Sequence, residues 1–279
     1  MLRLRNGLVK GKYCLICTPR SGSFYLQRYI HKHFNLEFGK EWFGRNKEID
    51  YSDPTKLKTS PVDIDWTVNE DLLTNAEMSK RLKFLDQFEK PFIVKCMPLQ
   101  LTNTVENHNL PEKERLDIAY DILSKFDVVY QWTDNKVSQF CFELTAQHSS
   151  QKGYTGTDRE FSVYETDKRT IPDENTFVAT KEKFDTFMDR ENFTHSLLQK
   201  FYKNEVEVPI IRWLDFLDSP NREMLKLEYC WDLIGNYKEK HWKEIIPNPD
   251  YSKIFTNYQE ISEWFEPNIN KFWTEYQHF

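Results

Sequence analysis

The stretch Tyr13–Tyr29, YCLICTPRSGSFYLQRY, constrains this chain more than any other. An apolar run leads into a turn of Thr18, Pro19, Arg20, Ser21 and Gly22, and residues at helical spacing follow. That order predicts a strand over about 13–18, a tight loop, and a helix over about 23–34. A helix start carries backbone N–H groups with no intrahelical partner, and the helix dipole favours an anion there. Arg20 adds a permanent charge with a planar donor fork. Ser21 and Ser23 add hydroxyl donors, and Gly22 lets the backbone approach closely. Together they predict a loop that holds the phosphate or sulfate of a small molecule.

The loop departs from the nucleoside triphosphatase pattern G-x-x-x-x-G-K-[ST]. No Gly precedes the turn and no Lys-Ser/Thr ends it. The expectation is a nucleotide-type ligand handled without a metal, and no metal-ligand cluster is visible in the sequence.

The rest of the chain alternates. Apolar strands are predicted at Pro91–Met97, Asp127–Trp132 and Glu205–Trp213. Helices are predicted at Thr67–Glu89, Pro111–Phe126, Asp134–His148, Thr180–Tyr202, Asn221–Leu233 and Glu260–Tyr276. Asn35–Pro61 reads as irregular, and Ser149–Asp173 as a polar loop or lid. Strands alternating with helices predict an α/β fold: three layers, α/β/α, around a mainly parallel sheet. Ligands of such sheets bind beyond the carboxyl ends of the strands, where the Thr18 loop, Met97, Trp132 and Trp213 would meet. With no repeat and no linker, residues 1–279 read as a single domain with a helical part from about 219.

A net charge of −6 argues against broad nucleic-acid binding. No stretch approaches a membrane span. The opening residues MLRLRNGLVKGKYC lack the apolar run of a signal peptide, so a cytoplasmic location is expected. Five scattered cysteines fit reduced thiols, which makes the sequon at Asn192 irrelevant. Cys14 and Cys17 form a C-x-x-C inside a predicted strand, an arrangement ill suited to metal or redox use.

Thr18–Leu26, TPRSGSFYL, resembles the 5′-phosphosulfate loop of sulfotransferases, most closely the bacterial and phage trehalose 2-sulfotransferase group with its x-x-R-S-G-S-T-L-L. The resemblance implies a P-loop NTPase-like sulfotransferase fold and the donor PAPS (3′-phosphoadenosine 5′-phosphosulfate). It implies that Arg20, Ser21, Gly22, Ser23 and Phe24 hold the donor. Glu41-Trp42-Phe43 matches the family's E-F-F, so Glu41 inherits the general base that takes the acceptor's proton. Burial among the aromatic residues would raise its pKa. Glu37, His31 and His33 are substitute bases.

Lys95 resembles a lysine at the end of a family strand. Where the family holds the 3′-phosphate with an Arg and a Ser, this chain has Thr133 and Phe142. Lys136 and Ser138 are the nearby replacements, with Arg212, Arg159 and Lys152 further off. Trp231, Trp242, Trp264, Phe265 and Trp273 either wall an acceptor pocket or pack helices together. The expected acceptor is a small hydroxylated compound. The oligomeric state stays open, a homodimer among the options. Two rival readings also stay open: a kinase-like phosphotransferase, and a non-catalytic protein that binds a nucleotide or glycan through a degenerate cofactor site.

Overall fold

The computed structural model describes residues 11–19, 21–44, 47–61, 72–151, 177–235 and 250–266, the side chains of Pro61 and residues 146–151 excepted. Five strands form one all-parallel sheet: β1 (Lys12–Ile16), β2 (Glu37–Glu41), β5 (Phe92–Cys96), β6 (Asp127–Trp132) and β7 (Ile210–Arg212). Their spatial order is β2-β5-β1-β6-β7. A separate antiparallel hairpin pairs β3 (Lys47–Ile49) with β4 (Thr59–Pro61).

Both faces of the sheet are covered, which is why its strands read as nearly unbroken apolar runs. Along β1, Tyr13 and Leu15 face one layer while Cys14 and Ile16 face the other. The first layer comprises α1 (Ser23–Phe34), α6 (Trp213–Asp218) and α7 (Pro220–Trp231), which contribute Leu26, Ile30, Phe216 and Leu227. The second layer is larger. It contains α2 (Asn75–Gln87), α3 (Glu112–Leu123), α4 (Lys136–Gln151), α5 (Lys181–Lys203) and α8 (Tyr251–Ile254), with residues 258–266 also helical. The three-layer parallel architecture expected from the sequence is the one observed.

Local chemistry sets the helix ends. Thr74 accepts the Glu77 N–H at 3.1 Å and starts α2; Thr180 accepts the Lys183 N–H at 3.3 Å and starts α5. Asn35 ends α1 in the left-handed region at φ 53°, a conformation asparagine tolerates.

Some expectations are corrected. The segment read as irregular contains β2 and the β3–β4 hairpin. β2 was hidden because Gly39 and Lys40 interrupt its apolar pattern; its register shifts between Phe38 and Glu41, and Lys40 has a φ of 48°. β7 is only three residues long, since residues 205–209 are not in the ladder. α4 runs to Gln151, into the stretch read as loop, and residues 152–176 lie outside the described residues. Among the described residues no helix is long and apolar enough to cross a membrane.

The strand order fixes where a ligand can sit. From β1 the chain leaves through α1 towards β2, on one side; from β6 it leaves through α4 and α5 towards β7, on the other. These diverging connections open a crevice at the carboxyl ends of β1 and β6, the switch point where α/β sheets bind ligands.

Candidate functional site

The loop after β1 enters this crevice. Gly22 is the N-cap of α1 with φ 80°, and a Cβ there would lie 2.6 Å from the Trp213 ring. Only glycine meets both demands without strain. The first turn of α1 has no side-chain cap and no acidic residue. Its polarity is thus left for an external anion. The Ser21 hydroxyl is buried and has no hydrogen-bond partner. An orphaned buried hydroxyl beside an uncapped helix start fits a phosphate or sulfate oxygen.

Two glutamines hold the loop from β6 and α4. The Gln131 Nε2 donates to the Ser21 carbonyl, which the Thr133 hydroxyl also reaches at 3.4 Å. The Gln139 Nε2 donates to the Pro19 carbonyl at 2.6 Å and the Thr18 hydroxyl at 2.8 Å. Sequence reasoning missed both, though each left a trace. Gln131 sits in the buried apolar strand DVVYQW, and a fully buried amide must find partners. Gln139 lies on a buried polar stripe of α4 with Lys136 and Glu143.

On the other side of β1, β2 brings Glu41 opposite Lys95 of β5. The Lys95 ammonium lies 3.3 Å from the Glu41 carboxylate, and the Gln100 Nε2 donates to its other oxygen at 2.5 Å. Gln100 in turn accepts the Met97 N–H at 3.2 Å, which sets the direction of its amide. The bulge that aims Glu41 is tied down by Gln27 of α1, whose Nε2 donates to the carbonyls of Lys40 and Ile93, both at 3.1 Å. Arg81 organises the following segment by donating to the carbonyls of Trp42, Gly44 and Lys47.

Burial opposes ionisation of Glu41, but Lys95, the Gln100 hydrogen bond and Lys47 outweigh it and hold the carboxyl below its ordinary value. The expected upward shift is therefore corrected. Trp42 and Phe43 point into the larger core instead of walling Glu41 in. Cys17, at the end of β1, donates its thiol to the Cys96 carbonyl at 3.8 Å, with Lys95 and Glu41 acting on it electrostatically. Burial pushes that thiol up to about 11, so Cys17 is inert near neutral pH.

The other expected residues scatter. Arg20 lies outside the described residues. Phe24 packs edge-on against Phe38. Lys136 is buried, and its ammonium binds Glu191 at 2.8 Å and Gln139 at 3.2 Å, over the Trp132 ring. It reaches the loop through Gln139. Ser138 is half-buried and its N–H donates to the Asn135 side chain. Phe142 packs against the larger core. Arg212, at the end of β7, forks onto Asp134 at 2.6 and 3.0 Å, beside Thr133. Glu37 pairs with Lys90 at the opposite end of β2 from Glu41. His31 contacts the Leu36 carbonyl and His33 pairs with Glu228, both at the far end of α1. Trp231, Trp264 and Phe265 pack between helices, while Trp242 and Trp273 lie outside the described residues, as do Lys152 and Arg159. A groove of about 920 Å³ runs beside β7 past Trp132 and Arg212. The sheet order places it across β1 from Glu41. Among the described residues no three His, Cys, Asp or Glu side chains converge as a metal site requires.

No family model and no curated protein matches this sequence. Eight chains of solved structures match its fold. One is a sulfotransferase domain from the curacin biosynthetic pathway, similar over 93% of this chain and 98% of its own, at 11% identity and a TM-score of 0.40. A likeness that distant says nothing of donor or acceptor, and it does not single out the trehalose 2-sulfotransferase group.

Proposed function

We propose that this chain is a sulfotransferase that moves a sulfuryl group from PAPS to a hydroxyl of a small acceptor. One observation carries the reading. An uncapped helix start with an orphaned buried hydroxyl lies at the switch point, and on the neighbouring strands β5 and β2 a half-buried lysine and carboxylate meet at 3.3 Å. The first element suits an oxyanion and the second suits a hydroxyl losing its proton. The loop's likeness to the 5′-phosphosulfate loop supports the choice of sulfuryl over phosphoryl.

When bound, the donor supplies an activated sulfuryl group whose bond to the phosphate oxygen breaks as the bond to the acceptor oxygen forms. Little covalent work is left to the protein, so positioning and electrostatics dominate. Backbone N–H groups of Ser21–Phe24 and the Ser21 hydroxyl hold the phosphosulfate. Arg20 neutralises charge that develops on the bridging oxygen. Glu41 is ionised at neutral pH and accepts the acceptor's proton on the lone pairs left by Lys95 and Gln100. Arg212 is the cation offered to the 3′-phosphate, in place of the arginine that Thr133 replaces.

Calorimetric titration with adenosine 3′,5′-bisphosphate, AMP and ATP tests the reading, with Arg20→Ala as control. Tight binding of the bisphosphate, much weaker binding of AMP and loss in Arg20→Ala are expected. Preference for ATP would redirect the assignment to a phosphotransferase.

A further inference from the structure

Two carbonyls of the loop, those of Pro19 and Ser21, are held by side-chain amides. A trans peptide carries its C=O and N–H on opposite sides. Tethering the Ser21 carbonyl to Gln131 therefore turns the Gly22 N–H the other way, towards the start of α1. Gln139 ties down the start of the loop, donating to the Pro19 carbonyl and the Thr18 hydroxyl. Both donors are neutral. They satisfy carbonyls that would otherwise face an anion, and they place no second charge in competition with it.

An amide works this way in one orientation only. Flipped, Gln139 would set its oxygen against the Pro19 carbonyl. The Lys136 ammonium fixes the orientation by donating to Gln139 Oε1. Lys136 is itself held by Glu191 of α5 and by the Trp132 ring. These are the charged groups that the hydrogen bonds and ion pairs place around Gln139. All of Lys136, Gln139, Gln131 and Glu191 are less than one-tenth exposed.

We propose that Gln131 and Gln139 are positioning residues that build the anion cradle from behind, and that the buried Lys136–Glu191 pair serves it by setting which end of the Gln139 amide meets the loop. The inference rests on the anion-loop reading for its ligand, though not for its geometry. It turns Lys136 from a direct ligand contact into a residue acting through another.

The test uses the full chain and two readouts. The first is calorimetric affinity for adenosine 3′,5′-bisphosphate, with the melting temperature measured alongside. Gln131→Met and Gln139→Met should each weaken binding by about tenfold or more, and each should also lower the melting temperature because a buried carbonyl loses its donor. Gln139→Glu, which keeps a partner for Lys136 but has no donor for the loop, should weaken it at least as much. The double variant Lys136→Met/Glu191→Met removes the pair without stranding a charge. It should weaken binding less than Gln139→Met and leave the salt dependence of affinity unchanged. The second readout is amide hydrogen exchange at Gly22 and Ser23 without ligand, which should accelerate in both Gln→Met variants. Wild-type affinity and wild-type exchange in these variants would overturn the proposal. A flattened salt dependence in the double variant would overturn the indirect role of Lys136. If the wild type binds no bisphosphate, the donor reading fails, while the exchange measurement still decides the clamp.

Discussion

The two flanks of β1 are built from opposite chemistry. Towards β6, the loop is held by neutral amides, Gln131 and Gln139, and the buried Lys136–Glu191 pair stands behind them. Towards β5, the organising interactions are charged: Glu41 with Lys95, and Lys47 close enough to act on it. The difference fits the two tasks proposed for them. An anion cradle gains from donors that carry no compensating negative charge. A group that must accept a proton gains from cations that keep it ionised despite burial.

Five changes to the molecule probe the contrast between the two flanks. The largest effect is expected at Glu41. Glu41→Gln keeps the shape but removes the proton acceptor, so turnover of PAPS with a responsive acceptor should fall by about 10²–10⁴-fold, as loss of a general base does. Bisphosphate binding should be retained. Turnover at the wild-type rate would remove Glu41 from the chemistry.

Next is the ion pair behind the cradle. Lys136→Met alone strands Glu191 in the core and should cost about 3–5 kcal/mol in a denaturant melt, whereas the double change Lys136→Met/Glu191→Met should cost far less. Equal costs would mean that Glu191 finds another partner.

Gly22→Ala follows. A Cβ at φ 80° against the Trp213 ring should cost about 1–3 kcal/mol. Trp213→Ala in the same background should recover the steric part of that loss and none of the backbone part.

The fourth point is pH dependence. Glu41 is held below its ordinary value of 4.5. A depressed carboxyl contributes stability that is fully present above the unfolded-state value and lost as pH falls through the folded one. Lys95→Met leaves burial opposed by Gln100 and Lys47, so the acid limb of stability should move upward in pH. A limb that stays in place would show that Lys95 does not govern Glu41.

The smallest effect is at Ser21. Ser21→Ala removes a hydroxyl with no partner in the folded protein, so stability should change by less than about 0.5 kcal/mol or rise slightly. Bisphosphate affinity should fall. A clear loss of stability would mean that the hydroxyl works within the protein.

The backbone of this site was legible in the sequence. Apolar runs gave β1, β5 and β6, and the turn before Ser23 gave the loop and the start of α1. Glu41 and Lys95 each stand out in the sequence, but as separate residues. Nothing local says that β2 pairs with β5, because β2 is short, carries Glu, Lys and Gly, and bends at Lys40. Lys136 was read from proximity in sequence to the loop after β6. Its partner Glu191 lies 55 residues further on, and that distant carboxylate decides where the ammonium goes.

The alternation of strands and helices, and the tight turn that starts α1, are written in the local sequence. These follow from short-range sterics and from hydrophobic period, which each segment carries on its own. Packing in three dimensions sets β5 between β1 and β2, brings Glu41 to Lys95, seats the Trp213 ring where only glycine fits at position 22, and lets two glutamines grip the loop from β6 and α4. Those outcomes depend on which buried polar groups are left to satisfy one another once the sheet has formed. That is a property of strand order and packing, and no single segment contains it.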